Sequence, residues 1–247
     1  MSEIIHSVGV TTSSFFQDMQ HFTFLSETLV SDLKAGASLG RTRQVRLWSA
    51  ACSTGEEAYS IAISLLEGFR DASSSDEAIY QPDGWQIEVI ASDVDPAMLA
   101  IAEERIYNQD ALAAIPEEGK KRYFLRGRGE MTGRARVKKG VADLVHFHRI
   151  DLEARVWPVE GPFDVIFFRN MLTDFEQATQ ELLLRRMLRY LSPHGYLILG
   201  HAESVSWLRD AVLPAGKTIY QLRPHGTAKY AGSERRTQRR RQPKPES

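Results

Sequence analysis

The sequence predicts an α/β domain, a mostly parallel sheet covered by helices on both faces. Three observations carry that expectation. Strand and helix signals alternate from residue 45 to the end. Phe163–Phe168 is a short, nearly all-apolar run, as expected of a central strand buried on both sides. The stretch Arg46-Leu-Trp-Ser-Ala-Ala-Cys-Ser-Thr-Gly-Glu-Glu-Ala-Tyr-Ser-Ile61 runs from an apolar strand through a small-residue turn into a helix start. A nucleotide-shaped ligand is held in that way at the carboxyl end of a strand.

The elements follow in order. Ser13–Leu33 reads as an amphipathic helix ahead of the sheet, with Phe16, Leu25, Leu29 and Leu33 on its apolar face and Ser14-x-x-Gln17 fitting a capping box. Val45–Ala50 is the first strand and Glu56–Phe69 its helix, which Ser53 or Thr54 would cap. A polar loop over Asp71–Gly84 leads to the second strand, Trp85–Ala91, and then to a helix over Pro96–Ile106 with proline at its first position. Arg122–Lys139, punctuated by Gly127, Gly129 and Gly133, reads as a small hairpin insert. Leu144–Asp151 and Phe163–Phe168 are the third and fourth strands, and Glu176–Leu191 is a long helix that Asp174 would cap. After a Pro193-His-Gly195 turn come the strand Tyr196–Gly200 and a closing hairpin of Ala211–Pro214 and Thr218–Leu222, which makes seven strands.

The 247 residues suit one such domain with a small insert. Hydrophobic residues at 43% and charged residues at 26% are ordinary for a soluble globular chain. No apolar run approaches the ~20 residues of a membrane span and Met1–Val10 is unlike a secretory signal, so the cytoplasm is expected. The single cysteine, Cys52, excludes a disulfide framework and a Cys-rich metal cluster, and reads as a small buried hydrophobe. The net charge of −1 hides a split: the tail from His225 carries +5 and the remainder −6. Poor in apolar residues, the tail (225–247) is expected to be disordered, and contact with nucleic acid or an acidic partner is left to it.

The turn after the first strand has one glycine, Gly55, so it is not built to close on a pyrophosphate. It carries Glu56 and Glu57 in the first helical turn, where the macrodipole favours them. Negative charge suits a positively charged ligand, and S-adenosylmethionine, with sulfonium and ammonium groups, is one. Asp93, at the end of the second strand, stands where a carboxylate can take both ribose hydroxyls of an adenosine. It could instead cap the following helix, a task that Asp95 before Pro96 can also do. Asp151 ends the third strand and could accept from an adenine amino group; Asn170 is polar where the apolar fourth strand stops, facing the ligand crevice.

Taken together, WSAACSTGEEAYSIAI, ASDVDPAML, RYFLRGRG, FDVIFFRN and the Gly200–Ser204 run GHAES resemble the CheR family of S-adenosylmethionine-dependent methyltransferases, which esterify glutamate side chains of bacterial chemoreceptors. The resemblance covers about Thr11 to Leu222. It implies a Rossmann-like class I methyltransferase fold, with residues 1–44 as an N-terminal helical segment contributing to the cofactor site, 45–224 as the methyltransferase domain and 122–140 as a β-subdomain insert. By resemblance Ser13, Gln17, Glu57, Asp93, Asp151, Leu152, Asn170 and Met171 match cofactor-contacting positions. Gly127, Gly129, Gly133 and Arg136 resemble the spacing with which some members grip a receptor's C-terminal tether, though hairpin turns alone account for the glycines.

Three departures bear on the chemistry. Ten residues precede Thr11, so the family's helical N-terminal domain, whose basic helix faces the receptor, is expected to be missing. The family pattern FFR reads Phe15-Phe16-Gln17, and RNxxIYF reads Arg169-Asn170-Met171-Leu172-Thr173-Asp174-Phe175. Gln17 and Asp174 thus stand at catalytic positions where the family has arginine and tyrosine. Glutamine holds a carboxylate less well than arginine, and an ionised Asp174 at ~6 Å would repel one by about 3 kcal/mol at an effective dielectric of 20. Two functions follow: a methyltransferase acting on a protein glutamate, and a catalytically weak module sensing S-adenosylmethionine or S-adenosylhomocysteine. A scaffold docked through the insert is a third.

Overall fold

The computed structural model describes residues 13–70, 80, 82, 84–203 and 205–223. Most of the polar loop over 71–84, Ser204 and the basic tail lie outside the described residues. Seven strands form one sheet: β1 (Gln44–Ala50), β2 (Gln86–Asp93), β6 (Val145–Arg149), β7 (Phe163–Phe168), β8 (Leu191–Leu199), β9 (Val212–Gly216) and β10 (Ile219–Leu222). Their order is β6-β2-β1-β7-β8-β10-β9, and β6 to β8 run parallel while the last two pair antiparallel. A second sheet of three antiparallel strands, β3 (Ile106–Asn108), β5 (Arg134–Val137) and β4 (Phe124–Arg126), has β5 in its centre.

Alternation along the strands builds two cores, one on each face. Val45 and Leu47 of β1 and Val165 and Phe167 of β7 point to one side. There they meet Phe22 of α1 (Met19–Thr23), Leu25 of the π-helical segment Phe24–Leu29, Leu33 of α2 (Val30–Ser38), and Ile61 and Leu65 of α3 (Glu56–Phe69). Trp48, Ala50, Ile166 and Phe168 point the other way, onto Leu183, Leu184 and Met187 of the helix Gln177–Met187. Each such side chain contributes about 1.5–3 kcal/mol when fully buried. Trp48 keeps its indole N–H satisfied by donating to Ser92 Oγ at 2.9 Å.

The expected helix over Ser13–Leu33 begins late, at Met19, and ends late, at Ser38, with a π-helical segment Phe24–Leu29 in its middle. Residues 13–18 are not helical because their backbone groups are engaged elsewhere. Phe15 N–H donates to Ala111 O, Phe16 N–H donates to Ser60 Oγ, and Phe16 and Asp18 sit at φ 56° and 62°. No capping box forms there: Asp18 holds the cap position and makes no side-chain cap bond. The helix expected over Pro96–Ile106 is α4 (Pro96–Glu104), capped by Asp95 accepting from Ala97 N–H. Arg105 turns left-handed after it, and Ile106 enters β3. The Pro193-His-Gly195 turn is a bulge inside β8 instead: Phe163 pairs with Leu191 and Val165 with Tyr196, so β8 takes up extra residues between them. Neither Ser53, Thr54 nor Asp174 caps a helix; Gly55 and Glu176 hold those positions.

Candidate active site

The carboxyl ends of β6, β2, β1 and β7 stand side by side, and the four loops leaving them frame one crevice. The β1 loop is the tightest. Ala51 and Ser53 adopt left-handed backbone angles, and Gly55 at φ 91° leads into α3. A Cβ on Gly55 would stand 2.8 Å from the Ala102 methyl, so a larger residue would push α4 away. Thr54 Oγ1 donates to Glu56 Oε2 at 2.6 Å, and Glu56 is buried. Glu57, beside it, takes Ser49 Oγ at 2.6 Å and Arg169 Nη1 at 3.1 Å. Burial pushes the Glu57 carboxyl above its ordinary range, while the Arg169 charge and the Ser49 hydroxyl pull it back.

Asp93 closes the β2 end. Its Oδ2 accepts Ser53 N–H at 2.8 Å and its Oδ1 accepts Asp95 N–H at 3.0 Å, tying the β1 and β2 loops together. A carboxylate offers about four lone-pair sites, so two remain for other donors. Asp151, past β6, is exposed and accepts Glu153 N–H at 2.8 Å; the neighbouring Leu152 is buried, and its carbonyl accepts the Trp157 indole N–H. Ser13 is half-buried at the start of the described chain.

Asn170 leaves β7 at φ 61°, with Oδ1 2.6 Å from where a Cβ on Gly200 would be. The β7 and β8 ends can approach this closely only because Gly200 has no side chain. Met171 is half-buried against the core beside the helix Gln177–Met187. Glu203 is buried and staples the two loops, accepting Leu172 N–H at 2.8 Å and Gly200 N–H at 2.5 Å.

Sequence reasoning passed over the residue at the centre of this arrangement. Arg169 follows a strand with every residue buried and is itself 5% exposed. It donates to Glu57, to Asp18 Oδ2 at 2.6 Å and to the Gln17 carbonyl at 2.9 Å, with its guanidinium 5.9 Å from the Phe22 ring centroid. Its Nε is buried without a partner. Arg169 therefore lashes the 13–18 segment to the crevice. A charge directly after a wholly buried strand has to be paired, and that was the available signal. His21, also missed, is fully buried, and burial and the Arg169 charge lower its imidazole to about 4. Thr218 Oγ1 donates to Lys217 O, so it accepts from His21 Nε2–H at 2.9 Å, which leaves Nδ1 bare.

Gln17 and Asp174 are both exposed, Gln17 through its side chain while its carbonyl is held by Arg169, and Asp174 in the turn Leu172–Asp174 after β7. In the small sheet, Gly127 is required by close approach, since a Cβ there would lie 2.0 Å from Met131 O. Gly129 opens the turn Gly129–Met131 and Gly133 precedes β5. Hairpin geometry thus accounts for all three glycines. A cavity of about 540 Å³ lies along β6, the edge strand of the large sheet, where Arg136, Arg105 and Lys139 line it together with Glu103, Asp143, His146 and His148.

Residues 11–220 match the family described as "CheR methyltransferase, SAM binding domain". The chain belongs to the CheR methyltransferase family. It is 36% identical over 216 residues to Chemotaxis protein methyltransferase 2 of Pseudomonas aeruginosa, covering 87% of this chain and 71% of that one. Identity is also 36% over 218 residues to the chemotaxis protein methyltransferases of Escherichia coli and Salmonella typhimurium, covering 88% of this chain and 69% of each. The cofactor of this CheR domain is accordingly S-adenosylmethionine, and the crevice suits it: Asp93 has free acceptor sites beside a tight small-residue turn, and carboxylates line the β1 loop. Among the described residues no helix is long and apolar enough to cross a membrane.

Proposed function

We propose that this CheR domain transfers a methyl group to a glutamate carboxylate of a protein acceptor of the chemoreceptor class. What supports the reading is that Glu57, Asp93, Asp151 and Asn170 stand at or shortly after the carboxyl ends of four adjacent parallel strands in a CheR sequence. When bound, the cofactor supplies a methyl sulfonium electrophile. Asp93 would hold the ribose hydroxyls and Asp151 with Leu152 the adenine end. Glu57, Asn170, Met171 and the strap bearing Ser13 and Gln17 would line the methionine end. With the cofactor held there, an acceptor carboxylate aligned by these residues would take the methyl group in line, the C–O bond forming as the C–S bond breaks with its electron pair kept by sulfur. No proton moves, because the carboxylate is already ionised near neutral pH, so the protein's work is alignment, which contributes roughly 7–11 kcal/mol when complete.

Gln17 and Asp174 make that alignment weaker than a guanidinium fork would. Gln17→Arg with Asp174→Tyr adds a bidentate partner for a carboxylate and removes a negative charge, so turnover on a receptor fragment should rise at saturating peptide. The measurement is base-released methanol after incubation with labelled methyl donor. Tight S-adenosylhomocysteine binding with no methanol from either protein would replace this reading by the sensor.

We further infer that the acceptor protein docks on the small sheet. Among the described residues strand β4 is paired on one side only, its Leu125 is 55% exposed, and Arg136 lines the cavity along β6. An acidic peptide can add as a strand there. Arg136→Glu should weaken peptide capture about tenfold without changing cofactor affinity; equal capture by the variant would refute the docking.

A further inference from the structure

Arg169 is shared between Asp18 and Glu57, and Asp174 adds a further carboxylate in the turn after β7. A cation next to this group is Lys217, in the turn between β9 and β10, whose Nζ has no carboxylate within 4 Å among the described residues and donates instead to His201 Nε2 at 2.5 Å. His201 follows Gly200 at the carboxyl end of β8, the strand next to β7, and its Nδ1 lies 3.8 Å from Asp18 Oδ1. A lysine donating to Nε2 requires that nitrogen bare, which puts the imidazole proton on Nδ1, towards Asp18.

Three bonds fix the turn that carries Lys217. Leu199 N–H donates to Thr218 O at 3.0 Å, Thr218 Oγ1 donates to Lys217 O at 2.8 Å, and buried His21 donates to Thr218 Oγ1. Thr218 is held at φ 56°, a left-handed angle that costs a β-branched residue energy and persists only where the surroundings impose it. Both Lys217 and His201 keep exposed side chains, so an incoming group can reach them.

We propose that Lys217, positioned by His201, reads the negative charge of the methyl acceptor. The inference rests on the carboxylate reading above and names the residue that selects for it. Its energetic signature follows from the reaction. The acceptor is anionic when it binds and becomes a neutral ester, so a nearby cation favours the bound substrate more than the transition state and more than the product. Lysine is also a point charge without arginine's planar fork, so it attracts a carboxylate without orienting it. Lys217 therefore governs acceptor affinity and Glu-over-Gln selectivity, and it eases release of the ester.

The test uses the full chain saturated with cofactor and a receptor peptide in two forms, one with glutamate and one with glutamine at the acceptor position. Lys217→Gln should raise KM for the glutamate peptide about five- to tenfold, leave kcat within about twofold and leave S-adenosylhomocysteine affinity unchanged. Lys217→Arg should retain the native KM. His201→Leu should raise KM, and His201→Gln, whose side-chain carbonyl can still accept from Lys217, should restore it. Fluorescence anisotropy with S-adenosylhomocysteine reads the same preference without turnover. If the native protein binds the two peptides equally, the carboxylate reading and this inference both fail. If it prefers glutamate and Lys217→Gln keeps that preference, this inference alone is overturned.

Discussion

Arg169→Met is expected to cost about 3–5 kcal/mol of stability, the effect of removing one partner from a buried ion pair and leaving the other uncompensated. Arg169 neutralises both Glu57 and Asp18, and it also takes the Gln17 carbonyl, so its loss removes the tie that holds residues 13–18 on the crevice. Protonation of Glu57, whose carboxyl burial already raises, limits the damage. Arg169→Met combined with Glu57→Gln should therefore recover part of the loss, because the Glu57 charge that Arg169 had neutralised is then gone as well. Denaturant unfolding of the single and double variants measures both quantities. A single-variant loss below about 1 kcal/mol would show that Asp18 and Glu57 are served by solvent instead.

Asp93→Ala is expected to weaken S-adenosylhomocysteine binding roughly ten- to a hundredfold, from loss of charge-assisted hydrogen bonds worth about 1.5–3 kcal/mol. The same carboxylate accepts Ser53 and Asp95 N–H groups, so part of the loss comes through a looser β1 loop. Asp93→Asn keeps one acceptor and should fall between the two. Titration calorimetry on variants with a native melting temperature separates ligand contact from unfolding; undiminished affinity in a folded Asp93→Ala would remove Asp93 from the ribose site.

The sheet was legible because its signals are local. The alternation of Val45, Leu47 and Trp48, the apolar run Phe163–Phe168 and the Pro96 helix start each state their element within a few residues, and the helix Glu56–Phe69 has the bounds expected of it. What the sequence concealed depended on partners far along the chain. Residues 13–18 read as helix because nothing local says that Phe15 bonds to Ala111 or that Arg169 takes the Gln17 carbonyl. Pro193 and Gly195 spell a turn in any window, and only the register against β7 makes them a bulge. At the site, Glu57 and Asp93 could be picked out from their place after a strand. Asp18, Glu203 and His21 could not, since their roles exist only once β7, β8 and the β9–β10 turn come together.

Cys52 gives the crevice a reporter of its own. It is the one cysteine of the sequence, it sits in the β1 loop at 2% exposure, and its N–H donates to Ser92 O at 2.8 Å. Burial raises its thiol, with Asp93 and Glu57 adding to the effect, so the closed loop presents no reactive thiolate. Alkylation can then proceed only through excursions in which the loop swings out, and its rate counts those excursions with no background from other thiols. A maleimide time course, with and without ligand, thereby becomes a clock for how often this crevice breathes.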